Sequence, residues 1–145
     1  MTARFAAVLL LLVCAAWCAD LQQVRAEPHL EKRARLALEN ATACLLAARE
    51  AYQKDDNTAV SANAAEIQES VDLAFTSLND THKDPRKSPK WFKYAEIQTR
   101  DLLRKLDTFQ RDMDFQDRPL LDKVKEDIQQ VHDKLLLGLM EGKPK

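Results

Sequence analysis

The stretch SPKWFKYAEIQTRDLLRKLDTFQRDM, residues 88–113, decides the fold of this chain. Within it Phe92, Ala95, Thr99, Leu102, Leu106, Phe109 and Met113 recur at alternating steps of three and four. Such spacing places them along one face of an α-helix, and Thr99 is the only polar member of that face. Ser88 is suited to cap the helix and Pro89 to be its first residue, because proline's fixed φ and missing amide cost nothing in a first turn. Many of the remaining positions are charged. Glu96 and Arg100, Asp101 and Lys105, and Asp107 and Arg111 are opposite charges four apart, each pair contributing about 0.2–0.5 kcal/mol on a solvent-facing surface.

The same pattern extends outward on both sides. Leu38, Ala41, Leu45, Ala48 and Tyr52 form a seam in a first segment, where Glu31 and Arg35 add a charged pair, and Val60, Ala64, Ile67, Val71, Ala74 and Leu78 form one in a second. Leu121, Val124, Ile128, Val131, Leu135 and Leu139 form the last. Helices are therefore expected over about 28–54, 57–79, 89–113 and 118–141. Asp56 or Asn57 can cap the second, while Asp114 and Asp117 compete to cap the fourth, with Pro119 in its first turn.

The chain has only two glycines, Gly138 and Gly142, which argues against sheets joined by tight turns and suits the end of the last helix. Four rods of roughly 35–40 Å, at 1.5 Å rise per residue and with short connections, predict an all-α, antiparallel up-down-up-down four-helix bundle. A three-helix bundle with a frayed first segment, or a pair of hairpins that completes its core by dimerisation, would use the same seams.

Ahead of these segments, Arg4 precedes an apolar run from Phe5 to Val13, too short for the roughly 20 residues that cross a membrane. Residues 1–26 are read as a signal peptide. Val24-Arg25-Ala26 is the preferred cleavage sequence, a cut after Cys18 or Ala19 is the alternative, and residues 27–145 form one helical-bundle domain. The expected location is secreted or periplasmic. Cys44 would be the only cysteine left, so no internal disulfide can form, and its place beside Leu45 marks it as a small core residue. Two sequons, at Asn40 and Asn79, are read as chance occurrences.

Motifs for chemistry are missing. Covalent haem attachment needs C-x-x-C-H, which does not occur; noncovalent haem would have to use His132 with a distant methionine. Paired-iron bundles need E-x-x-H, but Gln129 stands three residues before His132. Asp112, Asp114 and Asp117 resemble part of a calcium loop, yet Asp117 takes the place of its glycine and Lys123 that of its glutamate. There is no glycine-rich phosphate loop and no G-x-S-x-G turn. No catalytic, cofactor-binding or metal-binding residues are assigned, and no cofactor is expected.

One local feature stands apart from the helical pattern. Between residues 83 and 94 stand five cations, Lys83, Arg86, Lys87, Lys90 and Lys93, with the aromatics Trp91, Phe92 and Tyr94. The candidate partner-binding surface is Lys83, Arg86, Lys87, Lys90, Trp91, Lys93 and Tyr94. These residues could grip an anionic surface or an acidic partner through charge and stacking, or simply solvate a loop while Phe92 closes the bundle end. The chain's net charge of -1 gives no reason to expect nucleic acid. The functional expectation is an exported, noncatalytic helical bundle that binds an envelope component or protein as a monomer or homodimer. A haem- or metal-carrying bundle is the alternative.

Overall fold

The computed structural model describes residues 21–143, and every regular element among them is helical. In chain order these are α1 (Leu21–Arg25), α2 (Leu30–Gln53), α3 (Asn57–Asp80), α4 (Lys90–Asp112) and α5 (Asp122–Glu141), with a single 3-10 turn over Arg118–Leu121 leading into α5. The four long helices coincide with the expected segments to within a few residues, except that Pro119 tightens the entry to α5 into the 3-10 turn. The apolar run of the expected signal peptide lies outside the described residues.

The core is the set of seams. Every seam residue of the second and third segments is at most 5% exposed, and Leu121, Val124, Ile128, Val131 and Leu135 of the fourth are equally buried. Each fully buried leucine, isoleucine or phenylalanine is worth about 1.5–3 kcal/mol over its exposed state, so this stripe supplies most of the driving force. α2 and α3 share the most extensive interface; α4 packs on α5, and contacts of α3 with α5 and α2 with α4 complete the core. Alanines line the α2 and α3 faces, with Ala37, Ala41 and Ala48 wholly buried, and small side chains let two helix backbones approach closely.

Most buried polar residues are hydrogen-bonded, although Ser77 Oγ and Asn40 Oδ1 find no partner among the described residues. Thr99 donates its hydroxyl to the carbonyl oxygens of Ala95 at 2.9 Å and Glu96 at 3.0 Å, which explains how a polar residue sits in that seam. Asn40, only 1% exposed, donates its side-chain amide to Ser70 Oγ at 2.9 Å and Glu66 Oε1 at 3.2 Å, binding α2 to α3. A side chain buried in this way has no room for a glycan in the folded domain, whereas Asn79 of the second sequon is exposed.

Two expected caps differ from what is found. Asp56 does cap α3, accepting from the Ala59 amide at 3.0 Å. Ser88 does not cap α4: the cap position is Pro89, already in helical conformation, and Ser88 is tied through its own amide to the Asp84 carbonyl at 2.8 Å. Asp117 precedes the 3-10 turn without capping it, because its carboxylate is engaged elsewhere: Tyr52 Oη donates to Oδ2 and Asn57 Nδ2 donates to Oδ1, each at 3.1 Å.

α1 was not expected as a structural element, since it falls in the segment read as signal peptide. Leu21 and Val24 are 7% and 4% exposed and pack on α2, and Arg25 reaches Glu69 of α3 at 3.5 Å. The i, i+3 spacing of the two apolar residues puts both on the face turned to the core.

Candidate functional site

Ends of the long helices gather at two places. At one, the end of α2, the start of α3, the end of α4 and the approach to α5 meet through Tyr52, Asn57, Asp112 and Asp117. At the other, the start of α2, the end of α3, the loop of residues 81–89, the start of α4 and the end of α5 meet, and this is where the sequence placed the candidate surface.

The loop begins where α3 stops. Thr81 caps α3, donating its hydroxyl to the Leu78 carbonyl at 2.6 Å, and His82 takes a left-handed conformation with φ +55°. Asp84 then organises the next turn. Its carboxylate accepts from the Arg86 amide at 2.9 Å, and its carbonyl accepts from the amides of Lys87 at 3.1 Å and Ser88 at 2.8 Å. Arg86 and Lys87 on this turn are exposed, and the Arg86 stem lies beside Gly142.

Lys83, Arg86, Lys87, Lys90 and Lys93 are all exposed, while Trp91 and Tyr94 are half-buried against the core. Lys90 Nζ stands 5.0 Å from the Trp91 ring centroid, and Trp91 meets Tyr94 edge-on at 5.8 Å. Burial pushes the Tyr94 phenol above its ordinary value, with the Glu39 carboxylate adding to the rise and Arg35 opposing it, so Tyr94 is a neutral hydrogen-bonding group at physiological pH. Lys83 is held by Glu31 of α2 at 2.5 Å. The residues therefore form two groups: an aromatic and cationic patch of Lys90, Trp91 and Tyr94 on α4, and the loop cations Lys83, Arg86 and Lys87.

On the α5 side of the loop lies a cleft of about 710 Å³. Its apolar lining comes from Phe75 of α3, Pro85 of the loop, Phe92 of α4, and Leu135 and Leu137 of α5. Lys83, Lys134 and Lys143 stand around it together with Asn79 and His82, against one carboxylate, Glu141. Lys134 Nζ is 5.8 Å from the Phe75 ring centroid, so a cation stands over the aromatic part of the lining.

Both glycines of the chain serve this junction. Gly138, expected near a helix end, lies inside α5, where a Cβ would come within 3.3 Å of Pro85 Cγ; its bareness lets the loop lie against the helix. Gly142 ends α5 with φ +81° and ψ -168°, a conformation reserved for glycine, and a Cβ there would meet Arg86 Cδ and Asp84 Oδ1 at 3.1 Å.

A second cleft, of about 720 Å³, lies on the α2 side of Lys83 and is lined by Pro28, Leu30, Glu31, Arg35 and Trp91 among others. Its charges are already paired, Lys83 with Glu31 and Lys32 with Glu27 at 2.8 Å. Glu27, fastened to Lys32 and to His29, is lowered to a pKa of about 2.

Sequence reasoning found the loop and missed the walls. Phe75, Lys134 and Leu137 were not singled out, although one signal was present. A helix with one seam needs Leu135 and Leu139, but residues 135–140 read LLLGLM, apolar on more than one side. Leu136, Leu137 and Met140 are indeed among the exposed large hydrophobic residues, at 41%, 53% and 69%.

The residues weighed for cofactor chemistry are engaged separately. His132 Nε2 lies 3.1 Å from Glu96 Oε1 between α5 and α4, and Cys44 is wholly buried on α2. Among the described residues no group of three or more histidine, cysteine or acidic side chains is gathered in a way that could hold a metal, and no helix is long and apolar enough to cross a membrane. Comparison with protein-family models, curated proteins and solved structures finds no match to this chain.

Proposed function

We propose that this chain is an exported, noncatalytic helical-bundle protein that acts by binding, and that it binds at the end of the bundle built from residues 75–94 and 134–143. In this reading residues near the N-terminus direct export, the four long helices run antiparallel in up-down-up-down order, and the location is secreted or periplasmic. The observation that carries the reading is the cleft between α3, the 81–89 loop and α5, where an apolar lining and surrounding lysines coincide. Pockets with mostly apolar walls and a few well-placed polar groups are the usual form of a ligand site, and about 300–1,000 Å³ is their usual size.

Short linkers support the topology, since three residues between α2 and α3 leave only enough chain to reverse direction. The cationic loop supports an anionic partner over nucleic acid, because it is one local cluster on a chain with no other basic stripe.

The test is a backbone amide spectrum of the isotope-labelled protein titrated with a panel of an anionic amphiphile, an acidic peptide and an envelope oligosaccharide. Shifts gathered on residues 75–94 and 134–143 with any member are the expected result. Shifts confined to residues 49–57 and 109–122, or none with any member, would overturn the assignment of this end as the binding surface.

A further inference from the structure

Resting on that reading, we infer that the cleft between α3, the 81–89 loop and α5 takes a monomeric single-chain anionic amphiphile, its acyl chain against Phe75, Phe92, Leu135 and Leu137 and its headgroup beside Lys134.

Three observations converge on this class. The first is the division of the lining. Two phenylalanine rings, a proline and two leucines supply an apolar surface, beside which stand Asn79, His82, Glu141 and the lysines, and an amphiphile uses both kinds of lining at once. The second is charge. Lys83, Lys134 and Lys143 stand around the cleft against one carboxylate, Glu141; Lys83 is already held by Glu31, whereas Lys134, whose charge also acts on Asp72, forms no ion pair among the described residues and stands over Phe75. An ammonium beside an aromatic lining is suited to a ligand whose negative head joins directly to an apolar tail. The second cleft shares Lys83, and its lysines are all paired, Lys83 with Glu31 and Lys32 with Glu27, so it has no counterpart of Lys134 or Lys143.

The third observation is size. A cleft of about 710 Å³ falls within the roughly 300–1,000 Å³ usual for small-ligand sites. Leu137 of the lining is half-exposed, and Leu136 and Met140 are exposed on the same last turns of α5. Gly138 and Gly142 hold the loop close against α5, so that Pro85 forms a wall of the cleft.

The experiment is titration calorimetry of the full mature protein with sodium dodecanoate below its micelle threshold, beside dodecyltrimethylammonium, sodium acetate and vesicles of phosphatidylglycerol. Saturable binding of dodecanoate at one per chain is expected, at least tenfold tighter than the cationic amphiphile and without measurable binding of acetate. L137E, which changes a half-exposed side chain and leaves the core intact, should weaken dodecanoate at least tenfold. K134E should weaken dodecanoate while leaving dodecyltrimethylammonium unchanged or tighter. Helical circular dichroism and the melting curve of each variant establish that it is folded.

Equal binding of the two amphiphiles would overturn the charge argument, and dodecanoate binding that survives both L137E and K134E would overturn the location. Capture by anionic vesicles without dodecanoate binding would replace the monomeric ligand with a membrane surface and so overturn it too. If dodecanoate fails while the acidic peptide or the oligosaccharide still shifts residues 75–94 and 134–143, the amphiphile is wrong and the binding end stands; failure of every probe removes both.

Discussion

The two ends of the bundle use their polar residues in opposite ways. Where α2, α3 and α4 meet the approach to α5, side chains lock the elements together: Tyr52 donates to Asp117 and accepts from the Asp114 amide at 2.8 Å, Asn57 shares the same Asp117 carboxylate, and Arg49 reaches Asp112 at 3.1 Å. The Asp114 amide tends to lower the Tyr52 pKa, but burial and the Asp117 and Asp114 charges outweigh it and leave the phenol above its ordinary value, so it stays a donor. Gln110 adds a further tie, donating to the Arg118 carbonyl at 2.8 Å and to Asp122 Oδ1 at 2.7 Å. At the other end the loop is ordered mainly by bonds within itself around Asp84, with Lys83 tied to Glu31 of α2 and glycines letting the loop lie against α5. The difference shows how a small bundle can keep a cleft: one end is bound across by several side chains, and the other leaves apolar side chains open to solvent.

The largest test of this contrast compares two buried rings. Phe109, 2% exposed and edge-on to Tyr52 at 5.9 Å, belongs to the tied end; Phe92, 4% exposed, lines the cleft. Phe109→Ala is expected to cost about 3–5 kcal/mol in denaturant unfolding, because a closed cavity remains. Phe92→Ala should fall at or below the low end of that range, since its neighbours border open space and can relax. Equal losses would mean that the cleft end is packed as tightly as the other.

Next in size, Asp117→Ala removes the common partner of Tyr52 and Asn57 and should cost about 1–3 kcal/mol, whereas Arg86→Ala at the cleft end should stay within about 0.5 kcal/mol. A chemical denaturation series on the two variants distinguishes them. Gly142→Ala tests the glycine contact: a methyl group at φ +81° should cost about 1–2 kcal/mol and raise hydrogen exchange in residues 84–87 and 138–141, leaving residues 52–57 unaffected. Exchange raised equally at both ends would show that they are not independent.

The smallest effect is in pH. Glu27, lowered from 4.5 to about 2 by Lys32 and His29, favours the folded state above pH 4.5, and that contribution is lost as pH falls toward about 2. The melting temperatures of the native chain and of Glu27→Gln should therefore differ above pH 4.5 and converge as pH falls through that window. A difference that persists at pH 2 would place its origin in something other than the carboxylate.

How much was legible in the sequence follows from what periodicity encodes. The helices and their buried faces were legible because the three-and-four spacing of Phe92 to Met113 and of Val60 to Leu78 is a local property, repeated often enough to dominate any single residue. Charge pairing was less so. Asp101 and Lys105 pair at 2.8 Å as the spacing suggests, but Glu96, expected on the solvent-facing surface, is buried at 8% exposure beside His132 with Arg100 at 3.7 Å, Asp107 turns to Lys125 of α5 at 2.5 Å, Glu31 to Lys83, and Arg35 to Glu39 at 2.8 Å. Exposed pairs differ by tenths of a kcal/mol, so a neighbouring helix easily changes the choice. The candidate site was half legible: a run of lysines and aromatics announces itself in a sequence, whereas Phe75, Lys134 and Leu137, from helices distant in the chain, become neighbours only in space.

The sequence by itself determined that four amphipathic segments would form helices, where each would begin and end to within a few residues, and which side chains would be buried, because these depend on contacts within a few turns. Only the tertiary structure decided that Asp117 would bind across to Tyr52 and Asn57 instead of capping its own helix. It also decided that Leu21 and Val24 would join the core, and that the end of α5 would stand opposite the 81–89 loop and leave a cleft. Those outcomes depend on which helix surfaces face one another, and that is set by how all the seams pack together.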